Sequence, residues 1–311
     1  MIIAHISDLH LLSPEGPEAR RLVGKRFTGW VNLKLRRESH HKREVAQAVA
    51  REVRARNVDH VVITGDVTNL ALESEFEVVR AFLEHDLGLA PDRVSMVPGN
   101  HDMYTRGAHR TRRFQCYLGE YITSDLPGAA GVPGVDRFPY VRLRGPAAII
   151  GLSSAVPSPP LFASGVLGRA QRAALHAVLA HEEVGKRTPV ILQHHPWHNP
   201  VHPVKNLMTG LADADDQHTV LDRLDRGLLL HGHLHRRIHQ RIDTARGHLD
   251  AVGTTSASLL DGSEDKMGGF NLYEIAGDGS VGDIAGYRFE PETGRFVATP
   301  IPTYQAETQP N

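Results

Sequence analysis

Short apolar segments, each followed by a polar loop, recur along the chain. The first covers residues 2–6 and runs into Ser7-Asp8-Leu9-His10. Four more cover residues 58–63, 94–97, 190–192 and 228–230. Each is rich in β-branched residues or leucine and is bounded by Gly or Pro, a pattern typical of buried strands. This pattern predicts at least five strands, each followed by polar side chains.

Helical patterns alternate with these strands. One-sided apolar stripes at helical spacing occur at residues 38–56, 72–84 and 169–180. This alternation predicts an α/β fold with a largely parallel or mixed sheet, in which ligands bind at the carboxyl ends of the strands. Further strands are predicted at 248–253, 269–275 and 283–289, and loops rich in Pro and Gly at 123–139, 153–168 and 196–215. The tail after about residue 290 is expected to be irregular.

Composition narrows the class of protein. The chain has 311 residues, of which 20 are histidine. Its formal net charge of −1 shows that the chain as a whole is not a polycation of the kind that binds nucleic acid. Cys116 is the one cysteine, which excludes an internal disulfide framework and a thiolate zinc cluster. No apolar run approaches the roughly 20 residues of a membrane helix, and the start lacks a signal-peptide pattern. These features predict a soluble, cytoplasmic protein.

The polar loops supply oxygen and nitrogen donors without sulfur. Their donors are Asp8, His10, Asp66, Asn100, His101, His194 or His195, His233 and His235. This mixture of carboxylate, amide and imidazole suits Mn, Fe, Zn or Co. Side-chain alternation along an extended segment would place Asp8 and His10 on one side, and likewise His233 and His235. Asp66 follows Gly65, which permits a sharp turn. The set predicts two divalent metal ions that attract a phosphate group.

Five motifs, in this order, resemble those of the calcineurin-like metallophosphoesterases. They are Asp8-Leu9-His10, Gly65-Asp66-Val67-Thr68-Asn69, Gly99-Asn100-His101-Asp102, His194-His195-Pro196 and Gly232-His233-Leu234-His235. The resemblance implies an α/β fold, a four-layer α/β/β/α sandwich of two mixed β-sheets flanked by helices. It also implies a dinuclear centre in which a metal-bridging hydroxide attacks phosphorus in line. We expect a single domain over 1–290, a basic, cap-like insertion at about 14–43, and an irregular tail at 291–311.

Carried over motif by motif, the resemblance implies a role for each residue. One ion takes Asp8, His10, Asp66 and His235. The other takes Asp66, Asn100, His194 and His233, with His195 as the alternative to His194. His101 then faces the phosphate and protonates the leaving oxygen or stabilises its charge. Asn69 and Asp102 are candidates for orienting the ligands or for closing turns. His198 and Arg236 are candidates for contacts with substrate, and His195 is a candidate for contacting substrate or orienting a ligand.

Two features separate the chain from the Ser/Thr protein phosphatases of this family. Those enzymes carry phosphate-gripping arginines in the second and third motifs, whereas here Val67 follows Asp66 and Pro98 precedes Gly99. The stretches HISDLH (residues 5–10) and PGNHD (residues 98–102) resemble bacterial phosphodiesterases, including the class III cyclic-nucleotide group. We therefore expect a phosphoesterase that acts on a small molecule, and a diesterase rather than a monoesterase.

Residues 20–43 form a basic segment close after the first motif. Nine Lys or Arg residues stand against one acid, Glu38, with aromatic and aliphatic side chains between them. A solvated helix, a cap for an anionic substrate and a surface that docks on an anionic membrane are all open. The alternative functions are a peripheral membrane pyrophosphohydrolase of the UDP-2,3-diacylglucosamine type and a non-catalytic scaffold. A nuclease is disfavoured by the neutral net charge, and oligomeric state leaves no signal.

Overall fold

The computed structural model describes residues 1–13, 41–103, 105–126, 137–157, 163–200 and 206–304. The strands in these ranges are β1 Ile2–Ile6, β2 His60–Ile63, β3 Val94–Met96, β4 Tyr140–Arg144, β5 Ala147–Gly151, β6 Thr188–Leu192, β7 Leu228–His231, β8 Ile238–Asp243, β9 His248–Gly253, β10 Gly269–Ile275, β11 Val281–Glu290, β12 Arg295–Thr299 and β13 Thr303–Tyr304. The helices are α1 Arg43–Ala55, α2 Glu73–Ala81, α3 Arg106–Arg110, α4 Arg113–Leu118, α5 Gly168–Leu179, α6 Glu182–Gly185, α7 Asn206–Thr209 and α8 Ala214–Leu221. A π-helical stretch, Phe82–Leu87, continues α2, and short 3₁₀ turns cover Pro91–Arg93 and Gly119–Ile122.

The strands form two mixed sheets. The first has the spatial order β12-β11-β10-β1-β2-β3, with β1, β2 and β3 parallel and β10, β11 and β12 antiparallel to their neighbours. The second has the order β13-β8-β9-β7-β6-β5-β4, and its centre, β5, β6, β7 and β9, is parallel. The parallel strands of each sheet point their carboxyl ends the same way, which prepares a common edge for the predicted loops.

The alternation of side chains in β5 shows how the layers pack. Ile149 belongs to a core cluster that also contains Ile3 of β1 and Val49 of α1. Ile150 points to the opposite face and belongs to a second cluster with Leu175 of α5. The second sheet therefore packs against the first sheet on one face and against helices on the other. Two mixed sheets flanked by helices confirm the predicted fold class.

Most predicted elements are present, with shifted ends. The helix predicted over 38–56 begins at Arg43, and the one predicted over 72–84 is α2 with its π-helical continuation. Strands β4, β5 and β8 were not predicted. The insertion expected at about 14–43 lies outside the described residues except for its last three positions. Within the described ranges, no helix is long and apolar enough to cross a membrane.

The expectation of an irregular tail after residue 290 is wrong for residues 291–304, the part of the tail that the structure describes. Strand β12 pairs antiparallel with β11 at the edge of the first sheet, and β13 pairs with β8 at the edge of the second. Gly294, at a φ of 68°, turns the chain between β11 and β12. Phe296 packs against Phe270 and Phe289, with ring centroids 5.5 and 5.4 Å apart. The segment is ordered by partners distant in sequence, which a local pattern does not reveal.

Candidate metal centre

Five of the predicted polar loops meet at the carboxyl ends of β1, β2, β3, β6 and β7. Two tight backbone approaches bring them together. A Cβ on Gly65 would lie 2.5 Å from the backbone nitrogen of Gly99, and a Cβ on Gly232 would lie 2.4 Å from Oδ2 of Asp8. Both distances are too short for a side chain, so glycine is required where the loops cross. The loops of both sheets thereby share one site.

The backbone of this site is strained at the predicted ligands. Among the described residues, nine non-glycine residues have positive φ, and five of these are predicted ligands. They are Asp8 at 52°, His10 at 46°, Asp66 at 50°, His233 at 70° and His235 at 49°. Such conformations cost about 1–3 kcal/mol each and cluster at functional sites. The finding corrects the expectation that these side chains share a side through alternation on extended segments, because left-handed residues turn them inward instead.

One group of donors surrounds Asp8. Nε2 of His235 lies 3.1 Å from Oδ1 of Asp8, and Nε2 of His10 lies 3.2 Å from Nε2 of His235. Nε2 of His10 is also 4.0 Å from Oδ1 of Asp8 and 4.0 Å from Oδ2 of Asp66. Asp8, His10 and Asp66 are all buried. These four side chains therefore turn oxygen and nitrogen atoms toward one point.

A second group of donors surrounds His194. Its Nε2 lies 3.1 Å from Oδ1 of Asn100, 3.1 Å from Nδ1 of His233 and 3.4 Å from Oδ2 of Asp66. Nδ1 of His194 is 2.7 Å from the carbonyl oxygen of Thr64, which fixes the ring. Oδ2 of Asp66 thus faces both groups. This is the placement that a carboxylate shared by two cations requires.

The donor spacing fits divalent cations. Metal–ligand bonds of about 2.1 Å place adjacent ligands of a tetrahedral or octahedral ion about 3.0–3.4 Å apart. The closest donor pairs in the two groups, 3.1 to 3.4 Å, fall in this range. Two buried carboxylates also need positive charge beside them, since an isolated buried anion is costly. The residues present fit a pair of metal ions.

The histidines and carboxylates shift each other's pKa values. Burial alone would raise the pKa of Asp8, but His235 and His194 hold it below its ordinary value. Burial is likewise outweighed at Asp66, where His194 and His101 hold the pKa well below its usual range. Although burial lowers the pKa of a histidine, Asp66 raises that of His194 to about 9. Asp66 thus favours positive charge at His194, and a divalent cation bound beside the two side chains would supply that charge in place of a proton.

His101 is held beside the two groups by Asn69 and Asp66. Its backbone N–H donates to Oδ1 of Asp66 at 2.7 Å, and its Nδ1 lies 2.7 Å from the carbonyl oxygen of Asn69. The Asn69 side chain donates to the carbonyl oxygen of His10 at 2.8 Å. This chain of contacts ties the orientation of His101 to the backbone of His10, a predicted ligand. With Nδ1 bonded to the carbonyl, Nε2 is the atom of His101 that can serve a reacting oxygen.

Asp102 clamps two of the loops. Its carboxylate accepts hydrogen bonds from the backbone N–H groups of Thr68 and Gly99, both at 2.9 Å, and from the Thr68 hydroxyl at 2.9 Å. A buried carboxylate with three such donors is structurally satisfied. Of the two roles predicted for Asp102, closing turns is the one that these contacts support.

The remaining candidates are spread around the site. His195 is buried beside His194, with Nδ1 2.8 Å from Oγ of Ser154 and its ring centroid 4.6 Å from that of His233. His198 packs against Trp197, with ring centroids 4.3 Å apart and the rings tilted by 48°. Arg236 pairs with Asp265 at 3.0 Å. His195 therefore joins the second group, whereas His198 and Arg236 are not among the described residues that line the cavity above the centre.

The two donor groups open into a cavity of about 460 Å³. Its described lining consists of His41, Asp66, Asn100, His101, Ala163, His233, Leu234, His235, Leu259, Asp261 and Lys266. No motif in the sequence marks His41, Asp261 or Lys266 as a residue of the site. They come from segments outside the five motifs, and no local pattern distinguishes them from ordinary surface residues.

Most of the chain matches a known protein family. The family model of calcineurin-like phosphoesterases matches residues 1–237, a range that contains all five motifs. The chain belongs to the calcineurin-like phosphoesterase family. It is therefore a metal-dependent phosphoester hydrolase, as the resemblance implied, and members of this family use a dinuclear divalent metal centre.

Two solved structures share the fold at low sequence identity. A dimetal phosphatase from Danio rerio is 16% identical, with a TM-score of 0.58 over 88% of this chain and 92% of that one. A purple acid phosphatase from yellow lupin (Lupinus luteus) seeds is 10% identical, with a TM-score of 0.60 over 99% of this chain and 54% of that one. No curated protein sequence matches the chain. At these identities the structures show a common fold and leave the substrate open.

Proposed function

We propose that the chain is a phosphodiesterase with two divalent cations, each Mn, Fe, Zn or Co, at the junction of the two sheets. The observation that carries the proposal is the carboxylate of Asp66, whose Oδ2 lies 3.4 Å from Nε2 of His194 and 4.0 Å from Nε2 of His10. One oxygen atom thus faces both donor groups. When bound, the cations would supply an activated water and neutralise charge on the phosphate.

The ligands follow from the two groups. One cation is held by Asp8, His10, Asp66 and His235, and the other by Asp66, Asn100, His194 and His233. His194 is preferred to His195 because its Nε2 contacts Asp66 and Asn100 within 3.4 Å. Nδ1 of His195 is instead 2.8 Å from Ser154.

His101 supplies the proton for the leaving group. Nδ1 of His101 lies 2.7 Å from the carbonyl oxygen of Asn69, and the residue lines the cavity, so we assign proton donation to Nε2. A protonated His101 would donate to the departing alkoxide, a contribution of about 10²–10⁴ in rate. The hydrogen bond to Asn69 holds the ring of His101 in one orientation.

The lining of the cavity favours a diester over a monoester. A phosphate monoester carries close to two negative charges at neutral pH, one more than a diester. Among the described lining residues the sole Lys or Arg is Lys266, and Asp261 offsets its charge. The apolar side chains of Ala163, Leu234 and Leu259 line the same cavity and can contact a second esterified group.

The proposal is tested by comparing two chromogenic substrates in the presence of Mn²⁺. We expect a higher kcat/KM for bis-p-nitrophenyl phosphate than for p-nitrophenyl phosphate. Asp66→Asn serves as the control, because loss of both activities in this variant excludes a contaminating enzyme. A preference for the monoester would contradict the diesterase assignment. Cyclic nucleotides, glycerophosphodiesters and UDP-2,3-diacylglucosamine would then extend the panel.

The alternative functions have less support. Membrane docking and the UDP-2,3-diacylglucosamine pyrophosphohydrolase depend on residues 20–43, of which 20–40 lie outside the described residues. A non-catalytic scaffold is disfavoured by the presence and proximity of all seven proposed ligand side chains. The cytoplasmic location stays a prediction from composition.

A further inference from the structure

A third histidine lies against the donor group around Asp8. The ring centroid of His41 is 4.7 Å from that of His10 and 5.5 Å from that of His235. One ring nitrogen from each of these three histidines lies within 4.8 Å of the other two. His41 is half-buried and lines the cavity above the centre. This histidine lies outside the five motifs, two residues before the start of α1.

The position of His41 is determined by the segment that follows β9. His41 forms an antiparallel bridge with Leu259, and the backbone N–H of Lys42 donates to the carbonyl oxygen of Ser258 at 2.7 Å. The same segment is attached to the first motif, because the Ser256 hydroxyl donates to the carbonyl oxygen of Asp8 at 2.6 Å. His41 and Asp8 are therefore held by one stretch of backbone.

The ring of His41 is oriented in the way typical of a metal ligand. Its Nδ1 lies 2.8 Å from Oγ of Ser258 and 3.3 Å from Oγ of Ser256. Metal-ligating histidines bond one ring nitrogen to a nearby oxygen, which fixes the tautomer and aims the other nitrogen at the ion. Two buried serine hydroxyls therefore hold the ring of His41 in one orientation.

Building on the proposed dinuclear centre, we infer that His41 is an additional ligand of the cation held by Asp8, His10, Asp66 and His235. The addition raises the number of imidazoles at that cation from two to three. Nitrogen donors favour Zn, Co or Fe over Mg, which prefers oxygen. His41 thereby gives the two cations different sets of ligands. It makes the cation site around Asp8 more selective for Zn, Co or Fe over Mg.

The test is metal binding rather than turnover. Apo-protein is titrated with Co²⁺, whose visible absorption responds to the number and type of ligands, and affinities are measured by calorimetry. His41→Gln is compared with wild type, and His85→Gln, at an exposed position, is the control for loss of an imidazole. We expect His41→Gln to bind one Co²⁺ at least about tenfold more weakly, since even loss of an outer partner costs 10–100-fold. Its spectrum should also change, whereas His85→Gln should match wild type.

Three outcomes separate the claims. Unchanged affinity and spectrum in His41→Gln, with wild type binding two Co²⁺, would overturn the role of His41 alone. Failure of wild type to bind two Co²⁺ would instead contradict the proposed dinuclear centre. If His41→Gln does not fold, Ser258→Ala tests the same claim. That variant keeps the imidazole but removes its support, so a weaker affinity supports the ligand and an unchanged affinity and spectrum overturns it.

Discussion

At the scale of single residues, backbone conformation limits which side chains can occupy the proposed ligand positions. Asp, Asn and His adopt the left-handed region several-fold more often than other non-glycine residues. Asp8, Asp66 and His233 all lie in that region. Substitutions within the Asp, Asn and His set therefore test chemistry, whereas Val or Ile at these positions would also test the backbone.

Asp66→Asn removes the shared charge while keeping the shape and the backbone preference of Asp66. The amide oxygen can still accept the 2.7 Å hydrogen bond from the His101 backbone. We expect both metal content and activity to fall by more than about 100-fold, beyond the loss seen for an outer partner, with the apo fold retained. Metal analysis after dialysis and circular dichroism check this, with the exposed Asp92→Asn as control. A variant that retains two ions would show that Asp66 is not shared.

His101→Ala separates proton transfer from metal binding. We expect normal metal content, a loss of about 10²–10⁴ in kcat for diesters with alkyl leaving groups, and a much smaller loss for p-nitrophenyl esters, whose leaving group needs no proton. Steady-state kinetics on a matched pair of substrates measure the difference. Full activity on the alkyl substrates would remove His101 from the role of acid.

At the scale of secondary-structure elements, the last two strands connect the edges of both sheets. Strand β12 covers the long strand β11, whose edge would otherwise offer unpaired backbone groups to another chain. Strand β13 follows four residues later on the edge of the second sheet. The tail therefore links the β12 edge of the first sheet to the β13 edge of the second sheet.

Phe296→Ala is expected to weaken this bridge. Phe296 packs against Phe270 and Phe289 but is partly exposed. Truncation of a fully buried Phe lowers the free energy of unfolding by about 3–5 kcal/mol, so we expect a loss of about 2–3 kcal/mol here. Urea unfolding measures the change, and Arg295→Ala, one residue earlier and exposed, is the control. Equal stability of the two variants would mean that the tail contributes little.

At the scale of the whole molecule, buried neutral histidines make stability depend on pH. Burial and the nearby Arg142 lower the pKa of His60 to about 3, and burial with the nearby His231 lowers that of His5 to about 3. Below pH 6.5 these histidines take up protons in the unfolded chain but stay neutral in the folded one. The free energy of unfolding should therefore fall from about pH 6.5 toward pH 3, by up to about 1.4 kcal/mol per pH unit for each histidine.

His60→Gln isolates this effect far from the metal centre. His60 begins β2, at the end opposite the site, and its Nε2 lies 2.8 Å from Oγ of Ser95. We expect the loss of stability between pH 6 and pH 4 to be shallower in the variant by up to about 1.4 kcal/mol per pH unit. Urea unfolding of chelated protein across this range measures the slopes, with His85→Gln as control. Parallel slopes in the variant and wild type would place the acid sensitivity elsewhere.

The order of the motifs and the alternation of strands with helices were visible in the sequence because both are local properties. Apolar runs such as residues 2–6 and 228–230 predict strands, and the donors that follow them predict the chemistry. The sequence alone also determined which residue types are available for metal. Membership of the family followed from these residues, and the fold comparison confirmed the architecture.

The tertiary structure alone decided how those residues meet. The left-handed turns at Asp8 and His235, the return of the tail as β12 and β13, and the approach of His41 to His10 depend on contacts between segments far apart in sequence. Such pairings are stabilised by packing and hydrogen bonds that no local pattern records. At the predicted ligands, left-handed backbone stands where the sequence predicted alternating side chains on an extended segment. The identity of the donors is thus a property of the sequence, whereas their common point of convergence is a property of the fold.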